Sequence, residues 1–289
     1  MIHDAVGRAL AIALATLVMF TLLFVREATS PSGEGYWPAI AAAPAGALYL
    51  ADQRRHELRL ITPDDPARLL APLPVAIYRA LAADGPNLLL AGEGHLYVSN
   101  DTGRSWRSAL VGRFTAVSIR GSMALAGAWG DALWRSDDAG ANWTKATIPS
   151  GDSEFEAVVP GYAATLLGLL RSVDGGRSWE HVSELPNRVT SISEEPVFEV
   201  GDWRGTVWEN DGQGWRARTH YTGGVASLAG DVVATTAGLY AKDRPVPGEL
   251  GSREVSRVVQ SGSAFFAAIA RGPIYFSADG GAWRAVYQG

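Results

Sequence analysis

No cysteine occurs anywhere in the sequence. Disulfides, thiolate zinc sites, iron–sulfur clusters and thiol catalysis are thereby excluded. Either redox compartment tolerates such a chain, so this absence does not assign one. Lysine is nearly absent: Lys145 and Lys242 are the only two among 25 basic residues, and the rest are arginine. Arginine keeps its charge at any relevant pH and binds carboxylates and phosphates in a bidentate fashion. Charged residues make up only 19% of the chain, and the net charge of −5 gives no overall basic signal for nucleic acid. The five histidines, His3, His56, His95, His181 and His220, show no zinc spacing. No metal or cofactor is expected.

What the chain does contain is glycine, 33 residues of it, together with 10 tryptophans in 289 residues. Many glycines with many aromatics suit short strands joined by tight turns. A single long apolar run stands apart. Residues 9–25 carry no charge, Arg8 precedes them, and Arg26 and Glu27 follow. That length is at the short end of what spans a bilayer as a helix. The competing reading is a cleaved signal peptide, but the best cleavage site, Ala28-Thr-Ser30, is followed by Pro31. The expectation is therefore an uncleaved transmembrane anchor over residues 1–29, helical from about residue 5 to residue 26. A slight positive-inside bias favours a cytoplasmic N-terminus. The chain is thus expected to be single-pass in the inner, or cytoplasmic, membrane, with its large domain on the periplasmic side. Residues 30–35, Ser-Pro-Ser-Gly-Glu-Gly, read as a flexible linker.

Internal repetition dominates the remainder, residues 36–289. Ser99-Asn-Asp101-Thr-Gly103-Arg-Ser-Trp106 recurs as Ser136-Asp-Asp138-Ala-Gly140-Ala-Asn-Trp143 and as Ser172-Val-Asp174-Gly-Gly176-Arg-Ser-Trp179. Shortened copies follow, one with Asp211 and Trp215 and one with Ser277, Asp279, Gly281 and Trp283. These tryptophans are spaced by 37, 36, 36 and 68 residues, so one unit near residue 250 has lost its motif. Each unit contains four short apolar runs, the fourth starting at the Trp. Four strands in roughly 36 residues make one propeller blade. Within the motif, Asp can accept turn N–H groups, Gly supplies a positive φ, and Trp can bury a large ring.

The motif resembles the Asp-box, or BNR, repeat of sialidases, sortilin-type receptor domains and Ycf48-like photosystem assembly propellers. The resemblance implies an all-β, about seven-bladed β-propeller with four-stranded antiparallel blades. Its units are expected to begin near Tyr36, Val75, Phe114, Phe155, Val189, Val225 and Val255. It covers Ser99 to Trp283 directly. A sialidase would need an arginine cluster, a Tyr–Glu pair and an Arg-Ile-Pro-type motif in the first blade. The first unit offers only Arg54, Arg55, Arg59 and Arg68 without that tripeptide. A non-catalytic chain with no small-molecule substrate is therefore expected. An EF-hand needs several oxygen ligands and a closing Glu, which the motif does not provide.

Two sets of residues are candidates for a partner interface. Arg104 and Arg177 occupy equivalent motif positions, and Arg107, Arg216, Arg218 and Arg284 follow a Trp on outer strands. Such an Arg band matches the Arg-rich patch of Ycf48-like propellers, although charge on outer strands also blunts edge aggregation. Trp129 and Trp203 lie outside the motif and are candidate anchors. Trp134 and Trp208 fit the third-strand pattern and are expected to pack between blades. The expected role is an accessory or assembly subunit of a membrane protein complex, photosynthetic or electron-transfer in its most specific version. The alternative is an envelope-tethered carbohydrate-binding protein or sialidase-like glycosidase.

Overall fold

A computed structural model describes residues 38–288, apart from 66–67, 76, 93, 131, 153, 186–187, 195–196 and 270–271. The expected transmembrane helix and linker lie outside the described residues. Among the described residues no helix is long and apolar enough to cross a membrane.

Seven four-stranded antiparallel sheets follow one another along the chain, each built from four consecutive strands. They form blades 1 to 7 over residues 39–72, 78–111, 114–145, 155–181, 189–220, 225–245 and 255–287. The first strand of each blade contacts the first strands of its neighbours, and that of blade 7 returns to that of blade 1. The structure is a seven-bladed β-propeller with the first strands around its axis. Antiparallel order then assigns the loops to two faces. Turns between third and fourth strands lie on one face, called the hairpin face. Turns between second and third strands, and the connections to the next blade, lie on the other.

The repeated motif builds the hairpin face. Ser99 Oγ donates to Asp101 Oδ1 (2.8 Å) and accepts from the Gly103 N–H (2.8 Å), while Asp101 accepts from the Ser105 N–H (2.9 Å) and hydroxyl (2.6 Å). Ser136, Asp138, Gly140 and Asn142 repeat this in blade 3. Ser172, Asp174, Gly176 and Ser178 repeat it in blade 4. The motif glycines have φ near +80° and press on the preceding blade: Gly103 on Leu58, Gly140 on Val98, Gly176 on Leu125. The Trp rings fill the same seams. In blade 7, Gly280 rather than Gly281 has the positive φ, faces Val232, and accepts the Trp283 indole N–H (3.0 Å). In the shortened hairpin of blade 5, Asp211 accepts the Gln213 N–H (2.9 Å).

One detail differs from expectation. The fourth strand starts at the Trp only in blade 5 (Trp215–His220). In blades 2, 3, 4 and 7 it starts one residue later. Trp143, Trp179 and Trp283 still belong to the turn there, because each indole N–H caps a glycine carbonyl three residues back. Blade 6, which has no motif Trp, fills its seam with Val246 and Leu250 and turns through Lys242 and Asp243, both at positive φ.

Hydrogen bonding at the Ser105 and Ser99 side chains holds the Asp101 carboxyl at about 2, and Asn142 and Ser136 do the same for Asp138. Ser178 lowers Asp174 further still. A free aspartate titrates near ~3.9. Each folded pKa is thus below its unfolded value. The stabilisation is present above about pH 4 and is lost as pH falls through the folded values. Circular-dichroism melts should therefore show a melting temperature that drops between about pH 4 and pH 2, with a shallower drop for Asp138→Asn. A flat profile over that range would contradict this account of the hairpins.

Candidate functional site: the face opposite the hairpins

Trp129 follows the second strand of blade 3 (Met123–Ala128), and Trp203 follows that of blade 5 (Phe198–Asp202). Both therefore lie on the face opposite the motif hairpins. Between them, the turn of blade 4 presents Leu167. All three are exposed, each Trp at 48%. Large exposed aromatics on one face are the unusual observation, since isolated exposed apolar residues are ordinary.

These turns are rigidly built. Asp202 Oδ1 accepts the N–H groups of Arg204 (2.8 Å) and Thr206 (2.9 Å), and Oδ2 accepts the Trp208 indole (3.0 Å). The turn passes through Gly205 at φ +103°, where a Cβ would lie 2.4 Å from the Tyr221 and Gly223 carbonyls. Thr165 Oγ1 accepts the Leu167 N–H (3.1 Å) and donates to the buried Asp152 (2.7 Å). The Trp129 N–H donates to the Arg113 carbonyl (2.7 Å) in the connection entering blade 3.

An arginine covers each ring. The Arg113 guanidinium lies 5.3 Å from the Trp129 ring centre and that of Arg204 5.2 Å from Trp203. Cation–π contact at exposed sites contributes about 0.5–1 kcal/mol, enough to bias the ring orientation. Arg188, entering blade 5, pairs with Glu156 at 3.3 Å. Burial pushes the Glu156 carboxyl up, and Arg188 offsets that in part. The face thus combines aromatic platforms with cationic groups at the mouth of the central channel. A channel cavity of about 260 Å³ lies among the first strands of blades 2 to 7. Among the described residues no group of three or more His, Cys, Asp or Glu could hold a metal ion.

The arginines singled out from the sequence lie elsewhere, and most are engaged within the protein. Arg107 binds the Gly140 carbonyl of the next blade, and Arg284 binds the Pro63 carbonyl of blade 1 at 2.8 Å. Arg218 pairs with Glu199 (2.7 Å) and with Asp243 of blade 6 (3.1 Å), and Arg216 with Glu209 (2.8 Å). Arg177 donates to the Asp174 carbonyl in its own hairpin (2.6 Å). Arg104 sits exposed in the blade 2 hairpin. Arg107, Arg218 and Arg284 tie blades together, and none of the six shares a face with Trp129 and Trp203 through a contact. Trp134 and Trp208 pack into blade seams. Sequence reasoning missed Arg113, Leu167, Arg204 and Glu156. The only available signal was their place between a second and third run, or just before a first.

No family model matches the chain, and no curated protein matches it. Solved structures do. The computationally designed Ika8 protein matches with a TM-score of 0.60 at 15% identity, over 88% of this chain and 89% of that one. YCF48 from Cyanidioschyzon merolae matches with a TM-score of 0.56 at 17% identity, over 74% and 86% of the two chains. YCF48 bound to D1 peptide matches with a TM-score of 0.55 at 18% identity, over 72% and 81%. At these identities the likeness shows the propeller fold.

Proposed function

We propose that this chain is a non-catalytic interaction propeller that docks a partner protein segment on the face carrying Trp129, Leu167 and Trp203. The observation that carries this reading is the pair of exposed Trp rings, each stacked by an arginine, on turns fixed by internal hydrogen bonds. Rigid aromatic and arginine side chains are the residues that dominate interface energetics. The partner segment that fits is apolar with acidic side chains, because the exposed cations Arg113, Arg188 and Arg204 frame the rings. A structural neighbour, YCF48, has been solved with a bound peptide, which supports peptide docking as a use of this fold. We further propose that residues 1–29 are a membrane anchor and that the chain is an accessory or assembly subunit of a membrane complex. A photosynthetic or electron-transfer complex is its most specific version. The Ser-x-Asp hairpins are assigned a structural role.

The test is purification of the full chain in mild detergent, wild type against Trp129→Ala/Trp203→Ala. Wild type should carry a stoichiometric set of membrane subunits. The double variant should lose it, since each anchoring Trp contributes about 2 kcal/mol or more, roughly 30-fold in affinity. Its melting temperature should stay near wild type because both rings are exposed. Retention of the same subunits by the double variant, or a wild type that runs alone, would overturn the proposal.

A further inference from the structure

Arg257 lies on the first strand of blade 7 (Val255–Ser261) and lines the central cavity. Among the described residues, no carboxylate and no hydrogen-bond acceptor meets its guanidinium. Other arginines with polar neighbours at blade seams are paired, including the buried Arg135, whose Nε donates to the Gly175 carbonyl (2.9 Å). Most of the polar residues around the cavity are engaged within the protein. Among the described residues Glu156 is the one acidic residue lining it, and it pairs with Arg188. Thr190 donates to the Gly201 and Val225 carbonyls, Ser227 to the Val258 carbonyl, and Gln260 to the Gly262 carbonyl. The partly exposed Arg257 therefore places one positive charge at the cavity wall with no carboxylate paired to it, and the partial burial of the site lowers its pKa from the usual value. A charge held partly out of water gains from a counter-charge, and a ligand entering the cavity would supply one.

We propose that the central channel binds a small carboxylate anion, held by the Arg257 guanidinium. The planar fork of a guanidinium matches a carboxylate through two parallel N–H···O bonds. A cavity of about 260 Å³ sits just below the range of drug-sized sites, so the ligand is a small organic acid or the terminal residue of a peptide. The inference departs from the expectation of no small-molecule ligand, and it does not depend on the docking face proposed above.

Isothermal titration of the full chain in detergent with succinate, citrate, acetyl-trialanine and acetyl-trialanine amide tests it. At least one free carboxylate should bind in the submillimolar range and raise the melting temperature. Binding of the peptide acid but not its amide identifies a chain terminus as the source. Binding of succinate or citrate identifies a free acid. Arg257→Gln should lose about tenfold or more in affinity, because a charge-assisted bond is removed. Its unliganded melting temperature should equal or exceed that of wild type, since an uncompensated charge disappears. Arg257→Lys, which keeps the charge without the fork, should bind more weakly than wild type and more tightly than Arg257→Gln. The proposal is overturned if no probe binds wild type, if Arg257→Gln binds equally well, or if Arg257→Gln melts well below wild type.

Discussion

Replacing Asp52 with alanine is expected to lower stability by about 2–4 kcal/mol, because Asp52 holds the two ends of the ring together. Among the described residues blades 1 and 7 exchange no strand, and side chains close the seam between them. Ile40, Leu48, Leu50 and Ile61 pack against Phe266, Ile274 and Val286 across the seam. Ser261 Oγ donates to the Ala43 carbonyl at 2.7 Å. At the outer part of the seam, the fully buried Asp52 carboxylate accepts the Tyr287 hydroxyl, the Arg55 guanidinium (2.9 Å) and the Arg54 and Arg55 backbone N–H groups (3.0 and 3.3 Å). Burial pushes its pKa up, but the bonds from Tyr287, Arg55 and the turn outweigh that and leave it lowered. Burial first, and then the bond to Asp52, push the Tyr287 phenol up to about 12. Alanine would strand the Tyr287 hydroxyl and the turn N–H groups. Arg55 is 46% exposed and recovers water, which keeps the estimate below that for a fully buried pair. Calorimetry should show a melting temperature lower by roughly 5–15 °C for a domain of this size. Tyr287→Phe, which removes one bond, should cost about 1–2 kcal/mol. Hydrogen exchange should quicken first in the strands Ala39–Ala43 and Arg284–Tyr287. An unchanged melting temperature in Asp52→Ala would mean that apolar packing alone closes the ring.

Gly103→Ala carries a comparable cost by a different route. Its backbone is left-handed at φ +80°, which disfavours any side chain by about 1–2 kcal/mol. A Cβ would also lie 2.2 Å from Leu58 Cδ2, in the seam between blades 1 and 2. Overpacking of this kind costs about 1–3 kcal/mol, the lower end if Leu58 changes rotamer. The sum is about 2–5 kcal/mol. Gly212 in the blade 5 hairpin separates the two contributions, having φ +87° but open space where its Cβ would be. Gly212→Ala should cost only the backbone contribution, about 1–2 kcal/mol. Urea unfolding of both variants gives the comparison. Equal losses would show that the seam tolerates the extra methyl group.

The contrast between those glycines also marks what could be read from the sequence. A hairpin motif is local, so Ser99, Asp101, Gly103 and their repeats announced the turns, and the constant Trp spacing announced the blade. Contacts between blades join residues about one repeat apart, and they depend on the rotation from blade to blade, which no local pattern encodes. Arg107 looked like a surface charge but reaches the Gly140 carbonyl of the next hairpin. Gly127 and Gly201 belong to no motif, yet their missing side chains make room for Phe155 and Val225 of the following blade. Trp129 and Trp203 could be singled out because they break the motif spacing. Leu167 could not, because it sits inside an apolar run that reads as buried. Arg257 alternates with apolar neighbours on a first strand as any half-exposed residue does. Only the ring of seven first strands turns that position into a channel wall.

Site-specific photo-crosslinking tests the central claim, that the Trp face is the docking face, most directly. The photoreactive residue p-benzoylphenylalanine would be placed at Trp129, at Trp203 and at Val173, which is 77% exposed on the hairpin face. Irradiation in intact cells, followed by mass spectrometry, should give one discrete adduct from positions 129 and 203 and none from 173. An adduct from 173 alone, or none from 129 and 203, would contradict the assignment.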